Sequence, residues 1–347
     1  MDNPIERPLR ALDAWQQRHR VTAVIFAVVK KFGDDQAGNY VAQLTYYAFV
    51  STFPLLLVLV TVTEIVLVNH PEWRQQLLDT ALSEFPIAGP TLQQSVRTPS
   101  GSGLTLVIGL VLAFWGGSGL AGTMQTVLNS LWLVPKRQWP GFPWNYLRSI
   151  ALILLLGVGV VLTALMAAFA GAGHVLGLSG TGVHLLTIVL TTLVYCGLFL
   201  LGFRLGVSRE VPTRDLVLGA VLSGIAWQVL LTLGGTLAAR LYHSREVTGV
   251  FALVLGLLGW FALQATVTVY VVELDVVRAH HLWPRSLTQP PLTRADEHYL
   301  RASAQAEARR PEQRVQVDFD GSTTGDPAGT GTGTGSGSGS DERASPG

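Results

Sequence analysis

The chain has 347 residues, 49% of them hydrophobic and only 14% charged, where a soluble domain carries about a quarter charged. With a formal net charge of +1 and no clustered basic face, it lacks the footprint of a nucleic-acid binder, and no nucleic-acid partner is expected. Its single cysteine, Cys196, rules out an intramolecular disulfide and a cysteine metal centre, and reads as a small lipid- or core-facing residue.

The first residues mix Arg7, Arg10, Arg18 and Arg20 with Asp2, Glu6 and Asp13. The apolar patch Val21–Val29 is too short to cross a bilayer. Lys30 and Lys31 follow it instead of a cleavage site, so no secretory signal is expected. Ala11–Lys31 suits an interfacial helix with Trp15 and Phe26 at headgroup depth, and equally a helix packed beneath a bundle.

Six apolar stretches come next: Phe53–Val68, Leu104–Ala121, Ile150–Ala172, Val183–Phe203, Leu216–Ala239 and Gly249–Val272. A hydrocarbon core of ~30 Å takes about 20 helical residues. The first two fall slightly short, and polar residues upstream of Phe53 can extend the first. Lipid offers no partner to a bare peptide group, so these segments must be helices. The expected fold class is all-α: a polytopic membrane protein with six transmembrane helices plus interfacial amphipathic helices. The membrane domain covers 37–284, preceded by an N-terminal segment, 1–36, and followed by a polar tail, 285–347.

Between the first two stretches, Pro71–Phe85 spaces Trp73, Leu77, Leu78 and Leu82 as an outer amphipathic helix would. Ser118–Val134 carries the second stretch onward with Met124, Leu128, Leu131 and Trp132 on one face. Trp139, Phe142, Trp144 and Tyr146 then gather beside Lys136, Arg137 and Arg148. Aromatic rings among basic residues anchor a span at the interface, and the sharper reading is an anionic-lipid site at the inner face. Past Arg285 the chain turns polar, with a short exposed helix expected over Ala295–Arg310. From about 320 it is Gly, Ser and Thr, a composition expected to stay disordered.

The loops set the orientation. Arg7, Arg10, Arg18, Arg20, Lys30 and Lys31 precede the first span, Lys136, Arg137 and Arg148 follow the second, and Arg204, Arg209 and Arg214 follow the fourth. The opposite loops hold Arg74 and Arg97, then none, then Arg240 and Arg245. Basic residues stay on the cytoplasmic side, so both termini are expected in the cytoplasm, as an even number of spans also demands.

Three blocks resemble the YihY/BrkB family of bacterial inner-membrane proteins. The run Ala42 to Leu55, AQLTYYAFVSTFPL, is similar to the segment that leads into that family's first span. Leu128-Asn129-Ser130-Leu131-Trp132 with Arg137 resembles its Asn-x-x-Trp…Arg segment, and Thr248-Gly249 through Trp260 to Glu273-Leu274-Asp275 its final helix. The final helix departs from the pattern: Val271-Val272 stands where Gly-Ala is usual, and Asp275 where Asn is. The resemblance covers roughly residues 20–285. It implies a six-span helical fold, a bacterial inner-membrane location and an older label, ribonuclease BN.

That label finds no catalytic pattern. His19, His70, His174, His184, His243, His280, His281 and His298 are scattered. Adjacent His280 and His281 point about 100° apart on a helix. No metalloprotease, Walker or nucleophile-elbow motif occurs. No enzymatic activity, catalytic residue, metal or cofactor is expected.

The candidate functional groups are polar residues at membrane depth, where an ionisable side chain costs about 2.5–3.5 kcal/mol to insert. Glu64 is either a proton- or cation-linked carboxylate or a group that reaches the outer headgroups or Arg240. Gln43, Thr45, Tyr46, Tyr47 and Ser51 lead to Pro54, which removes a helical hydrogen bond. A broken helix lined by them could form a midplane site, and an ordinary packed kink is the alternative. Gln228 and Gln264 could line a cavity or bridge helices. Asn129, Arg137, Glu273 and Asp275 form an inner-face polar group, with Glu273 and Asp275 expected to pair near Arg278. The predicted function is transport or flipping of an amphiphilic or lipid-linked envelope substrate, with membrane lipids as partners. A non-transporting envelope scaffold is the alternative, and a membrane ribonuclease the third reading.

Overall fold

In the computed structural model, the described residues are 13, 15–66, 72, 75, 103–175, 181–243, 250–287 and 292–319. Residues up to Gln316 form one compact unit, and those from Val317 onward a second, of which only 317–319 are described. The outer segment Pro71–Phe85 is described only at residues 72 and 75, and the glycine-rich tail after 319 lies outside the described residues.

All regular structure among the described residues is helical: α1 (Arg20–Asp34), α2 (Ala37–Val66), α3 (Gly103–Leu131), α4 (Trp144–Val175), α5 (Thr181–Gly206), α6 (Thr213–His243), α7 (Val250–Ala279) and α8 (Arg294–Ala306), with a 3-10 turn at Lys136–Gln138. Among the described residues, four segments are long and apolar enough to cross a membrane: Trp144–Thr163, His184–Gly206, Thr213–Gly234 and Val254–Ala279. At 20 to 26 residues each, they measure about 30–39 Å at ~1.5 Å per residue. The expected count of six is met by this criterion at four. Helices α2 and α3 are as long, at 30 and 29 residues.

The six long helices close into a ring in chain order. Each packs on the next, from α2 through α7, and α7 returns to α2. Close approach at glycine draws neighbours together. A Cβ at Gly224 of α6 would lie 2.6 Å from the backbone nitrogen of Cys196 on α5 and 2.8 Å from its Cα. Gly224→Ala is therefore expected to wedge α5 from α6 and cost about 1–3 kcal/mol. The check is the unfolding midpoint in detergent against Gly197→Ala, whose Cβ would meet nothing within 4 Å.

The buried core gathers at one end of the ring. It comprises Leu128 and Leu131 of α3 with Trp132 just beyond it, Phe203 of α5 with Val207 just beyond it, Leu216 of α6, and Val272 and Val276 of α7. Toward the middle, α4 and α5 leave Leu154, Leu156, Val158, Leu186 and Leu193 exposed, as lipid-facing helices do.

Helix α1 lies across the core end. Ala23, Ala27, Val28 and Lys31 form its buried face, while Val21, Ile25 and Val29 remain exposed on the other. The helix is thus packed beneath the bundle by one face and leaves an apolar strip exposed on the other. Its C-terminus turns into α2 through Asp35 and Gln36, the latter in the left-handed region at φ 50°.

Downstream of the ring, structure departs from the expected exposed polar tail. Arg285, Ser286, Ala295, Asp296 and Tyr299 are buried, and α8 starts at a capping box formed by Thr293 and Asp296. Charged residues can be buried here because each meets an opposite charge or a backbone partner.

A buried ionic cluster as the candidate functional site

The core end of the ring carries the charges that the sequence placed in flanks and tail. Lys31 is fully buried, and its ammonium donates to Glu273 Oε2 of α7 at 2.7 Å, Asp35 Oδ2 at 2.5 Å and the Leu131 carbonyl at the end of α3 at 3.0 Å. Three acceptors saturate the three ammonium hydrogens, so one side chain ties α1, α3 and α7 together. Burial alone would lower this lysine's pKa. The facing Glu273 and Asp35 carboxylates outweigh burial and raise its pKa, keeping it charged. The Tyr299 hydroxyl of α8 donates to the other oxygen of Asp35. Burial, then the Asp35 charge, push the phenol's pKa upward, so it stays a donor.

A second knot lies beside the first. Asp296 accepts from Lys30 Nζ at 2.9 Å, Arg285 Nε at 2.8 Å, the Ser286 amide at 3.0 Å and the Thr293 hydroxyl at 2.8 Å. Burial alone would raise its pKa, but these donors overcome it and hold the carboxyl at about 2. Arg285 also reaches Asp34 at 2.8 Å and stacks over the Tyr299 ring, 4.4 Å from its centroid. Asp13, ahead of α1, accepts from Gln16, Gln17, the Ser286 hydroxyl and the Leu287 amide. The knot therefore fastens α8 to α1 and to the segment that follows α7.

Five carboxylates (Asp13, Asp34, Asp35, Glu273, Asp296) share this region with three cations, Lys30, Lys31 and Arg285. The second oxygen of Glu273 has no hydrogen-bond partner. A buried carboxylate oxygen without a donor is costly and available to one more proton or donor.

The four residues grouped at the inner face from sequence each take a partner outside that group. Glu273 pairs with Lys31 rather than with Arg278, which is exposed. On a helix, 273 and 278 lie about 140° apart, so they occupy different faces. Asp275 Oδ2 accepts the Gly219 amide at 3.0 Å, and its Oδ1 has no partner. A Cβ at Gly219 would overlap this carboxylate. Asn129 spans two helices: its amide nitrogen donates to the Gln125 and Gly206 carbonyls, and its oxygen accepts the Ser208 amide at 2.8 Å. Arg137 is exposed, and its backbone amide donates to the Ala308 carbonyl. Lys136 pairs with Glu307 at 2.6 Å. The two adjacent histidines diverge, His280 against Trp132 and His281 stacked on Trp283. Burial, then the positive charges of His298 and Lys31, lower the His280 pKa.

The midplane residues do not converge. Gln43 and Tyr46 are exposed, while Tyr47 and Ser51 pack against Gly119 and Gly116 of α3. Helix α2 runs unbroken through Pro54, with the Ser51 and Thr52 hydroxyls turned back on the Ala48 carbonyl. The broken-helix alternative is not what forms. Glu64 lies in α2, its side chain outside the described residues, as is that of Arg240 in α6.

Gln228 and Gln264 each bury one unpartnered polar atom, Oε1 and Nε2 respectively. Antiparallel α6 and α7 are in register at Gly219 and Asp275. Nine and eleven residues from that contact, the two glutamines lie at about 14 and 17 Å depth. Gln228 nevertheless sits about 180° around α6 from Gly219, so they do not face one another.

Lys31, Asp35, Arg285, Asp296 and Tyr299 escaped the sequence reading. Thr293-Arg294-Ala295-Asp296 was the available signal for Asp296 and Tyr299, because an N-cap threonine with an acid three residues on marks a helix start.

Residues 28–295 match the family model described as Virulence factor BrkB, which covers more than half of the chain. The chain belongs to the BrkB family. Among curated relatives, the Inner membrane protein YhjD of Escherichia coli is 24% identical over 271 residues, covering 73% of this chain and 80% of its own length. An uncharacterized protein of Dickeya dadantii is 24% identical over 277 residues, covering 74% and 84%. No solved structure matches. Membership accords with the membrane-embedded all-helical fold and the three sequence blocks that suggested it. The family match ends at Ala295, so it takes in Lys31, Glu273 and Arg285 and stops one residue short of Asp296.

Proposed function

We propose that this BrkB-family chain moves an amphiphilic or lipid-linked envelope substrate across a bacterial inner membrane, with both termini cytoplasmic, and that the ionic cluster is its inner gate. The observation that carries this reading is the placement of Lys31. A single buried cation clamps the end of α3 to α7 across the ring, and its partner Glu273 keeps one oxygen unsatisfied. An ion pair buried in this way adds little net stability over an apolar packing of the same volume. It does give a latch with two discrete states, paired and released, which a gate needs. The arginine-rich loops at the same end support the cytoplasmic placement.

The test is flux in proteoliposomes, using fluorescent phospholipids in one set and an internal pH-sensitive dye in the other. The native chain is expected to move lipid or protons, and the charge-neutral pair Lys31→Met/Glu273→Gln to change that rate at least about tenfold while remaining folded. Glu64→Gln, run beside it, reports whether the carboxylate in α2 lies on the path. No movement by the native chain would sink the gate and leave the scaffold reading. That reading is favoured by the docked α8, whose Arg294, His298 and Leu300 are exposed.

A further inference from the structure

We propose that Arg148, Arg204 and Arg209 form a binding site for the phosphate of an anionic phospholipid headgroup, in the leaflet at the core end of the ring. The site stands independently of whether the chain transports anything. Arg148 leaves the first turns of α4 and donates through Nη1 to the Val207 carbonyl at 3.3 Å. This fixes its guanidinium against the α5–α6 loop, three residues from Arg204 and two from Arg209. The charges that act on Arg148 are these two arginines, both of its own sign. Among the described residues, no carboxylate pairs with any of the three. Glu210, their neighbour in the loop, is exposed and bonds to none of them, and Arg214 turns to Asp215 at 3.9 Å.

Arg204 adds an independent sign of a missing anion, because its Nη1 is buried with no acceptor. A guanidinium nitrogen withheld from water and from every acceptor is a costly arrangement unless an anion completes it. The loop that presents these groups is held rigid, since Asn129 bonds both the Gly206 carbonyl and the Ser208 amide. The surroundings select a lipid as the carrier of that anion. Phe142, Trp144 and Tyr146 are 84%, 62% and 55% exposed at this end. Trp144 precedes Arg148 by one turn on the same face of α4. Aromatic rings at headgroup depth beside unpaired arginines match a glycerophosphate, with the rings against its glycerol and upper acyl region. The sequence placed such a site at Lys136, Arg137 and Arg148. Lys136 is taken by Glu307, and the unpaired charge lies instead across the ring end.

Binding to the purified full chain in detergent is the test, read by native mass spectrometry and by the unfolding midpoint. The probes are dioleoyl phosphatidylglycerol, dioleoyl phosphatidylcholine and inorganic phosphate. Saturable binding of phosphatidylglycerol that raises the midpoint is expected. Affinity should fall about fivefold for Arg209→Gln and about 25-fold for Arg148→Gln/Arg209→Gln. Arg209 is exposed and makes no hydrogen bond or ion pair among the described residues, so its variant is expected to keep the fold. Arg214→Gln should bind as the native chain does. Equal binding of phosphatidylglycerol by native and variant chains would overturn the site. Binding of phosphatidylcholine or of free phosphate as tight as that of phosphatidylglycerol would overturn the anionic lipid as its occupant.

Discussion

Lys31→Met is expected to cost the folded protein about 3–5 kcal/mol, because it strands two carboxylates that the ammonium now satisfies. Glu273 has no other hydrogen-bond partner, and its side chain is fully buried. Asp35 retains the Tyr299 hydroxyl and loses the cation. The double variant Lys31→Met/Glu273→Gln should recover the part of the loss that comes from Glu273, leaving Asp35, still hydrogen-bonded to Tyr299, as the one carboxylate without its cation. Denaturation in mixed detergent, with both singles and the double, measures the coupling directly. If the double variant is no more stable than Lys31→Met alone, the pair is not the tie described above.

Asp296→Asn is expected to be nearly as damaging. Among the described residues it removes the one carboxylate paired with Lys30 and one of two paired with Arg285, and it weakens the capping box of α8. A loss of about 3 kcal/mol is expected, within the range for breaking a buried pair. Undocking of α8 would show as new protease cleavage after the ring domain. The same carboxyl predicts an acid limb of stability. A group that titrates near 2 when folded and near 3.8 when free contributes about 2.5 kcal/mol above pH 4. Its folded-state pKa is depressed, so that contribution is present above about pH 4 and disappears as the pH falls through 2. The native midpoint should therefore decline over this window, and the decline should be smaller in Asp296→Asn.

The parts of this structure that were legible in the sequence are those a single segment determines. Apolar runs such as Ile150–Ala172 and Val183–Phe203 exceed what lipid demands, and they fold as α4 and α5. The second stretch continues as α3 to Leu131 with Leu128 and Leu131 buried, as the spacing indicated. The candidate site was half legible. Asn129, Glu273 and Asp275 were singled out because polar groups beside apolar runs need partners, but the partners depend on which helices meet. Lys31 looked like the basic end of a surface helix. Only the ring, which brings α7 under α1, makes it a core residue 242 positions from its carboxylate. Arg285 and Asp296 looked like solvated tail for the same reason, since hydropathy counts a paired charge and a free one alike. Tyr46 and Gln43 show the converse. Local polarity nominated them, while the face of α2 that meets α3 belongs to Tyr47 and Ser51.

The order in which the ring closes has a consequence for how the protein is made. Helix α2 is the first of the ring to leave the ribosome and α7 the last, so the final contact waits for the whole domain. A chain made at about 5–20 residues per second leaves Lys31 without Glu273 for roughly ten to fifty seconds. During that interval its ammonium has Asp35, four residues on, as its counter-ion, and it gains its second carboxylate only when α7 emerges. A chain that ends before α7 would therefore keep the Lys31–Asp35 pair and lack the tie that joins α1 to the closing helix of the ring.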